Sequence, residues 1–138
     1  MENVYQARVT RVHAAKRITL PVPPSANTAY PSNQHGGGRH LSKAGREYKD
    51  SAGWVVKAAL QGWRIDAGDH LVLDIGLWFK DKRRCDLDNF VKLPKDIVCG
   101  VLGIDDNWQV IPRILIEFRG VDKDNPRCEV MVTHYKTA

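Results

Sequence analysis

LVLDIGLWFKDKRRCDLDNFVKLPKDIVCGVL, residues 71–102, changes its hydrophobic period once, and that change separates a strand from a helix. Leu71, Leu73, Ile75, Leu77 and Phe79 alternate strictly, which is the period of a strand with one buried face. The basic run KDKRR follows at residues 80–84. Beyond it Leu87, Phe90, Val91, Ile97, Val98, Val101 and Leu102 recur at helical spacing, with Asp88 placed to cap the helix. Pro94 argues for a kink, or for a helix that begins later than Asp88, because proline inside a helix costs about 3 kcal/mol. Where the strand gives way to the helix lies an acidic motif. Asp86 and Asp88 are two apart, Lys92 is four beyond Asp88, and Asp105 and Asp106 follow the apolar run. A helix starting at Asp88 would carry Asp88, Lys92 and Asp96 along one face, and Asp86 would converge on the same end. Asp105 and Asp106 must fold back past Gly103 to join them. The positive end of the helix favours anions there, and carboxylate oxygens are natural Mg²⁺ ligands, so the motif has the look of a metal-dependent phosphodiesterase.

Outward from this core the pattern continues. ITLPVPP at residues 18–24 reads as a short strand ending in prolines, and SANTAYPSNQHGGGRH at residues 25–40 as a long loop with little structure of its own. Ser42 is expected to cap a helix running through Ala44, Tyr48, Ala52, Val55, Val56, Ala59 and Leu60, with Gly45 and Gly53 counting against it. Two more strands are predicted, one at residues 110–119 with Ile114, Ile116 and Phe118 on a face, one at residues 127–133 with Cys128, Val130 and Val132 on a face. No internal repeat, linker or low-complexity tract divides the chain, so residues 1–138 are expected to form one domain.

The chain has 21 Lys and Arg against 16 Asp and Glu, a net charge of +5, which favours an anionic partner without identifying it. Three cysteines, Cys85, Cys99 and Cys128, form no CxxC pair and suggest neither a disulfide framework nor a zinc site. A reducing compartment follows. No apolar run reaches the roughly 18 to 20 residues of a membrane span, and the first residues lack a signal-peptide core, so we expect a cytoplasmic protein with no membrane partner.

A DxDN string by itself is weak, since Asp88 could simply cap a helix and pair with Lys92 on a solvated surface. DKDNPR at residues 122–127 repeats the string where Asn125-Pro126 and the flanking strands indicate a hairpin turn. An EF-hand is excluded by Val91 and Ile97 where that loop needs Gly and Glu. His13, His35, His40, His70 and His134 lack metal-ligand spacing and read as surface or loop residues. Trp54, Trp63, Trp78 and Trp108 read as core or interface anchors rather than base-stacking platforms.

Four blocks in order, LPVPPSANTAY at residues 20–30, LSKAGREYKD at 41–50, RRCDLDNFVKLPKDI at 83–97 and GIDDNWQV at 103–110, resemble the RusA family of Holliday junction resolvases. The resemblance implies a single-domain α/β fold, a mixed β-sheet with helices packed on it, and a homodimer. It further implies a Mg²⁺-dependent endonuclease, with Mn²⁺ as a substitute and no organic cofactor, that cuts four-way DNA junctions in recombination and repair in phages and prophages. By motif position it assigns catalysis to Asp86, Asp88, Lys92 and Asp106, and metal binding to Asp86, Asp88 and Asp106, with Asp105 adjacent. Arg83, Arg84, Lys80 and Lys82 are then placed to grip neighbouring phosphates, with Arg39, Lys43 and Arg46 as a second set. Two other classes stay open: a nuclease acting on flaps or forks, and a basic DNA-binding module without catalysis.

Overall fold

The computed structural model describes residues 9–33 and 36–137. Its elements are β1 (Val9–Leu20), a single turn α1 (Ala26–Ala29), α2 (Lys43–Ala59), β2 (His70–Phe79), a 3-10 turn (Leu87–Phe90), α3 (Lys92–Leu102), β3 (Arg113–Val121) and β4 (Arg127–Thr137). The strands form one mixed sheet in the order β1-β4-β2-β3, in which only β2 and β3 run parallel. The α/β class with helices against a mixed sheet is as expected.

Register explains the core. Leu77 lies opposite Cys128, which lies opposite Leu20, and Ile75, Val130 and Ile18 form the next row. Since alternate residues share a face, these rows build one apolar surface, against which Tyr48, Ala52 and Val56 of α2 and Leu93, Ile97 and Val98 of α3 are buried. The alternation of β2 holds, but the strand is more buried than one-faced packing requires: Val72 and Gly76 are buried as well. The Arg119 guanidinium lies across Gly76, where a Cβ would come within 2.5 Å of it. On that second face Glu129 is approached by Arg119 at 3.6 Å, Arg127 at 3.8 Å and Arg17 at 4.0 Å.

Ser42 caps α2 as predicted, accepting from the Gly45 amide at 3.1 Å. Gly45, which counted against the helix, belongs in it. A Cβ there would sit 2.7 Å from Leu41 Cδ1 and 3.0 Å from the Ala29 carbonyl oxygen, so glycine lets α1 close against α2.

Several expectations need correcting. The helix after the acidic motif begins at Lys92, the later start for which Pro94 argued, and Asp88 lies in the preceding 3-10 turn rather than capping that helix. Pro94 is the reason: as the third residue of α3 it falls where the amide has no partner within the helix, a position that Asp88 as cap would have denied it. β1 extends well before residue 18, because β4 pairs with it along its whole length. Residues 25–40 are not without structure. Ser25 caps α1, and Ser32 and Arg39 form an isolated bridge; His35 lies outside the described residues. DKDNPR is a turn, with the Asn125 amide bonded to Asp122 Oδ1 at 3.1 Å, but not a hairpin: β4 passes the end of β2 and pairs on its far side. Trp54 and Trp108 are 72% and 68% exposed and belong to no core. Ile114 and Phe118 lie on the open edge strand β3 and stay partly exposed.

His70 and His134 are buried, not superficial. His134 Nε2 bonds Asp69 Oδ2 at 2.9 Å, the Asp66 amide donates to the same oxygen at 3.0 Å, and the Trp63 and His13 rings flank the imidazole. Burial pushes the Asp69 carboxyl up, but the bonds from His134 and Asp66 and the charges of His134 and Lys136 outweigh it and hold it below its ordinary 3.8. A carboxyl depressed by folding stabilises fully above its unfolded value, and that stability disappears as pH falls through the folded value. Asp69→Asn is therefore expected to cost about 1–3 kcal/mol near neutrality and to flatten the loss of stability toward acid, as measured by urea unfolding from about pH 7 down to about pH 2.

Candidate active site

β2 ends at Phe79, and the chain leaves it as the exposed basic segment 80–85. Within DLDNF, Phe90 turns inward and meets Phe79 edge-on at 5.2 Å, with Leu87 packed on the core beside it. Those two anchors set the 3-10 turn, closed by the Asn89 amide on the Asp86 carbonyl at 3.2 Å. Asp86 and Asp88 occupy the intervening outward positions. Both are exposed, and Asp86, although it precedes the turn, makes no side-chain cap to it.

Lys92 opens α3. Its ammonium lies 3.4 Å from Asp96 Oδ2 and 4.9 Å from the centre of the Tyr30 ring, while the Tyr30 hydroxyl donates to that same Asp96 oxygen at 2.8 Å. The i,i+4 step from Lys92 to Asp96 is therefore as predicted, but Asp88 does not share the helix. Burial first, then the hydrogen bond and negative charge of Asp96, push the Tyr30 hydroxyl far above its ordinary 10.0. Tyr30 thus stays a neutral donor, and Lys92 is held by a carboxylate on one side and an aromatic face on the other. Neither Tyr30 nor Lys95 was singled out in the sequence, although Tyr30 closes the LPVPPSANTAY block.

Gly103 ends α3 with φ 66°, ψ 38°, and the Ile104 amide returns to the Cys99 carbonyl at 3.0 Å. This left-handed residue folds the chain back, and Asp106 reaches Lys95 at 3.4 Å. The buried Cys99 thiol registers the charges around it. Burial pushes it up to about 11, reinforced by Asp106, Asp96 and Asp105 and opposed by Lys95.

The two acidic pairs are separated by α3, whose 11 residues at about 1.5 Å each set its ends about 16 Å apart. The fold-back brings the Asp106 carboxylate to the Lys95 ammonium. Among the described residues no three His, Cys, Asp or Glu side chains are gathered at one point to hold a metal. The donor chemistry suits Mg²⁺, which commonly needs only one or two protein carboxylates, and Asp86 with Asp88 supply two. Of the cationic residues, Lys80, Lys82, Arg83 and Arg84 lie together on the segment leading to Asp86, with Arg83 3.8 Å from Asp81. Lys43 pairs with Glu47 at 3.8 Å, Arg46 bonds the Leu41 carbonyl at 2.8 Å, and Arg39 sits at the Ser32 bridge, so this second set is on a different segment.

The family model for endodeoxyribonuclease RusA matches residues 21–133, a span that includes both acidic pairs and Lys92. The chain belongs to the RusA family. It is 37% identical over 81 residues to the crossover junction endodeoxyribonuclease RusA of Escherichia coli (strain K12) and to that of Shigella sonnei (strain Ss046). The corresponding RusA of Enterobacteria phage 82 is 36% identical over 81 residues. In each case the match covers 57% of this chain and 62% of the relative, so it spans less than two thirds of those RusA proteins.

The link between Tyr30 and Asp96 is open to a direct test. Asp96→Asn removes the charge that opposes phenolate formation, so the Tyr30 titration should move down toward its ordinary 10.0. Phenolate absorbance followed against pH, with Tyr30→Phe identifying the responding tyrosine, measures the shift.

Proposed function

We propose that this chain is a Mg²⁺-dependent endodeoxyribonuclease that resolves four-way DNA junctions by paired incisions. The observation that carries the reading is membership of the RusA family over a span containing DLDN, its lysine and the later acidic pair. The names of the relatives support the substrate. The lone cysteines and the lack, among the described residues, of a helix long and apolar enough to cross a membrane agree with action on DNA in the cytoplasm.

In this reading Asp86 and Asp88 would hold the ion through carboxylate oxygens, and Asp106, with Asp105 beside it, would give up its pairing with Lys95 to join them. A bound divalent ion supplies Lewis acidity at the phosphoryl oxygens and lowers the pKa of its water. The chain's own residues do the rest. Arg83, Arg84, Lys80 and Lys82 fix the phosphates on either side, with Arg39, Lys43 and Arg46 as a second set on another segment. Lys92, aimed by Asp96 and the Tyr30 ring, places its positive charge where negative charge develops on the phosphoryl oxygens as water attacks phosphorus and the 3′ oxygen leaves. Two cuts in symmetry-related strands call for two such sites, which a two-fold homodimer presents.

The full chain should cut a strand-labelled four-way junction in opposed strands when Mg²⁺ is supplied, stop when it is chelated, and leave linear duplex of the same sequence largely intact. Asp88→Asn should abolish cutting and retain junction binding; undiminished cutting would defeat the site assignment. Equal cutting of duplex, flaps or forks would identify a nuclease of other substrates, and binding without any cutting would identify a DNA-binding module. Light scattering checks the dimer. Lys92→Ala is expected to slow cutting by orders of magnitude at little cost in affinity. By contrast, Arg83→Ala or Arg84→Ala should weaken binding and reduce its salt slope by about one per lost phosphate contact.

A further inference from the structure

The basic segment 80–85 arches over an apolar hollow. On its β3 side lies a cavity of about 430 Å³ floored by Phe79, Leu87, Phe118 and Val121. Its mouth is formed by Lys82, Arg83 and Arg84. Asp81 also lines it, but accepts from the Arg83 amide at 3.0 Å and pairs with the Arg83 guanidinium, so the rim is dominated by cations. Leu87 stands between Asp86 and Asp88, which makes one wall of the cavity part of the acidic motif itself. Phe118 is 51% exposed, with the Phe79 ring at 6.2 Å and 13° between planes.

We propose that this cavity receives one unstacked nucleobase of the DNA beside the scissile phosphate, stacked on Phe118. The proposal rests on the nuclease reading and adds a site to it. A flat aromatic ligand tethered to phosphates matches a floor of aromatic and aliphatic carbon under a cationic rim, and the volume is in the range of about 300–1,000 Å³ that small-molecule sites occupy. A second copy of the chain fits less well, because a two-fold contact here would set Lys82, Arg83 and Arg84 against their own counterparts. Junction crossovers are where bases are least firmly stacked, so extruding one costs least there. A base drawn into the hollow would fix the backbone's position at Asp86 and Asp88, linking recognition of branched DNA to the placement of its phosphate.

The test uses the full chain with four-way junctions carrying 2-aminopurine at a crossover position or within an arm, in chelator so that binding occurs without cutting. Crossover fluorescence should rise several-fold on binding and arm fluorescence should not. Phe118→Ala should abolish the rise and weaken junction binding about tenfold or more, leaving linear-duplex binding unchanged, and Phe118→Trp should restore both. Phe118→Leu, which keeps apolar volume without an aromatic face, should behave as the alanine variant even if that variant folds poorly. If the wild type binds and later cuts junctions with no fluorescence change, the base site is refuted and the nuclease reading stands. If it neither binds nor cuts them, both fall. A Phe118→Ala variant that dissociates a dimer would show that a second copy covers the cavity, and would also overturn the proposal.

Discussion

Leu71, Leu73, Ile75 and Leu77 have no exposure at all, and the strand that carries them anchors both halves of the acidic motif. At one end of β2 the chain passes directly into the basic segment and DLDN. At the other end the Leu71 amide bonds the Val110 carbonyl at 2.9 Å, tying down the loop that carries Asp105 and Asp106. α3 runs back between these ends. The strand and helix thus form a frame that carries Asp86 and Asp88 at the start of the helix and returns Asp106 to Lys95 from its far end.

This frame accounts for the different treatment of the lysines. Lys92 is fixed on two sides by Asp96 and Tyr30, and Tyr30 comes from α1's C-terminal edge, far away in sequence. Lys95, the more buried of the two, pairs with the half-exposed Asp106 across the fold-back. An ion pair half open to solvent is worth little, on the order of 1 kcal/mol or less, so the Lys95 to Asp106 contact is readily exchanged for a stronger cation.

β2 and β4 were legible because burial of one face imposes a period of two, the stretch of β1 before residue 18 was not, and Ser42 was legible because its cap is a local interaction with Gly45. The start of α3 was legible only in part: Asp88 has the composition of a cap, Pro94 spoke for a later start, and the 3-10 turn between them goes with the long-range packing of Phe90 on Phe79. Gly45 was misread for a related reason: its cost to the helix is local, while its benefit is the close approach of Ala29. His134 and Asp69 are 65 residues apart, and nothing in either segment announces the pair. The acidic motif was recognisable by composition and order, but its separation by α3 depends on a helix length and a fold-back that spacing alone leaves open.

The placement of β4 between β1 and β2 reaches beyond the site. Val9 lies opposite Thr137 and Leu20 opposite Cys128, so the first strand finds its partner only in the last. During synthesis neither β1 nor the β4-facing side of β2 can be satisfied until the C-terminal segment has left the ribosome. Contacts of such sequence separation fold slowly and leave strand edges bare meanwhile. The sheet therefore closes only once β4 is available, and a product truncated before β4 would leave β1 and one side of β2 without a partner.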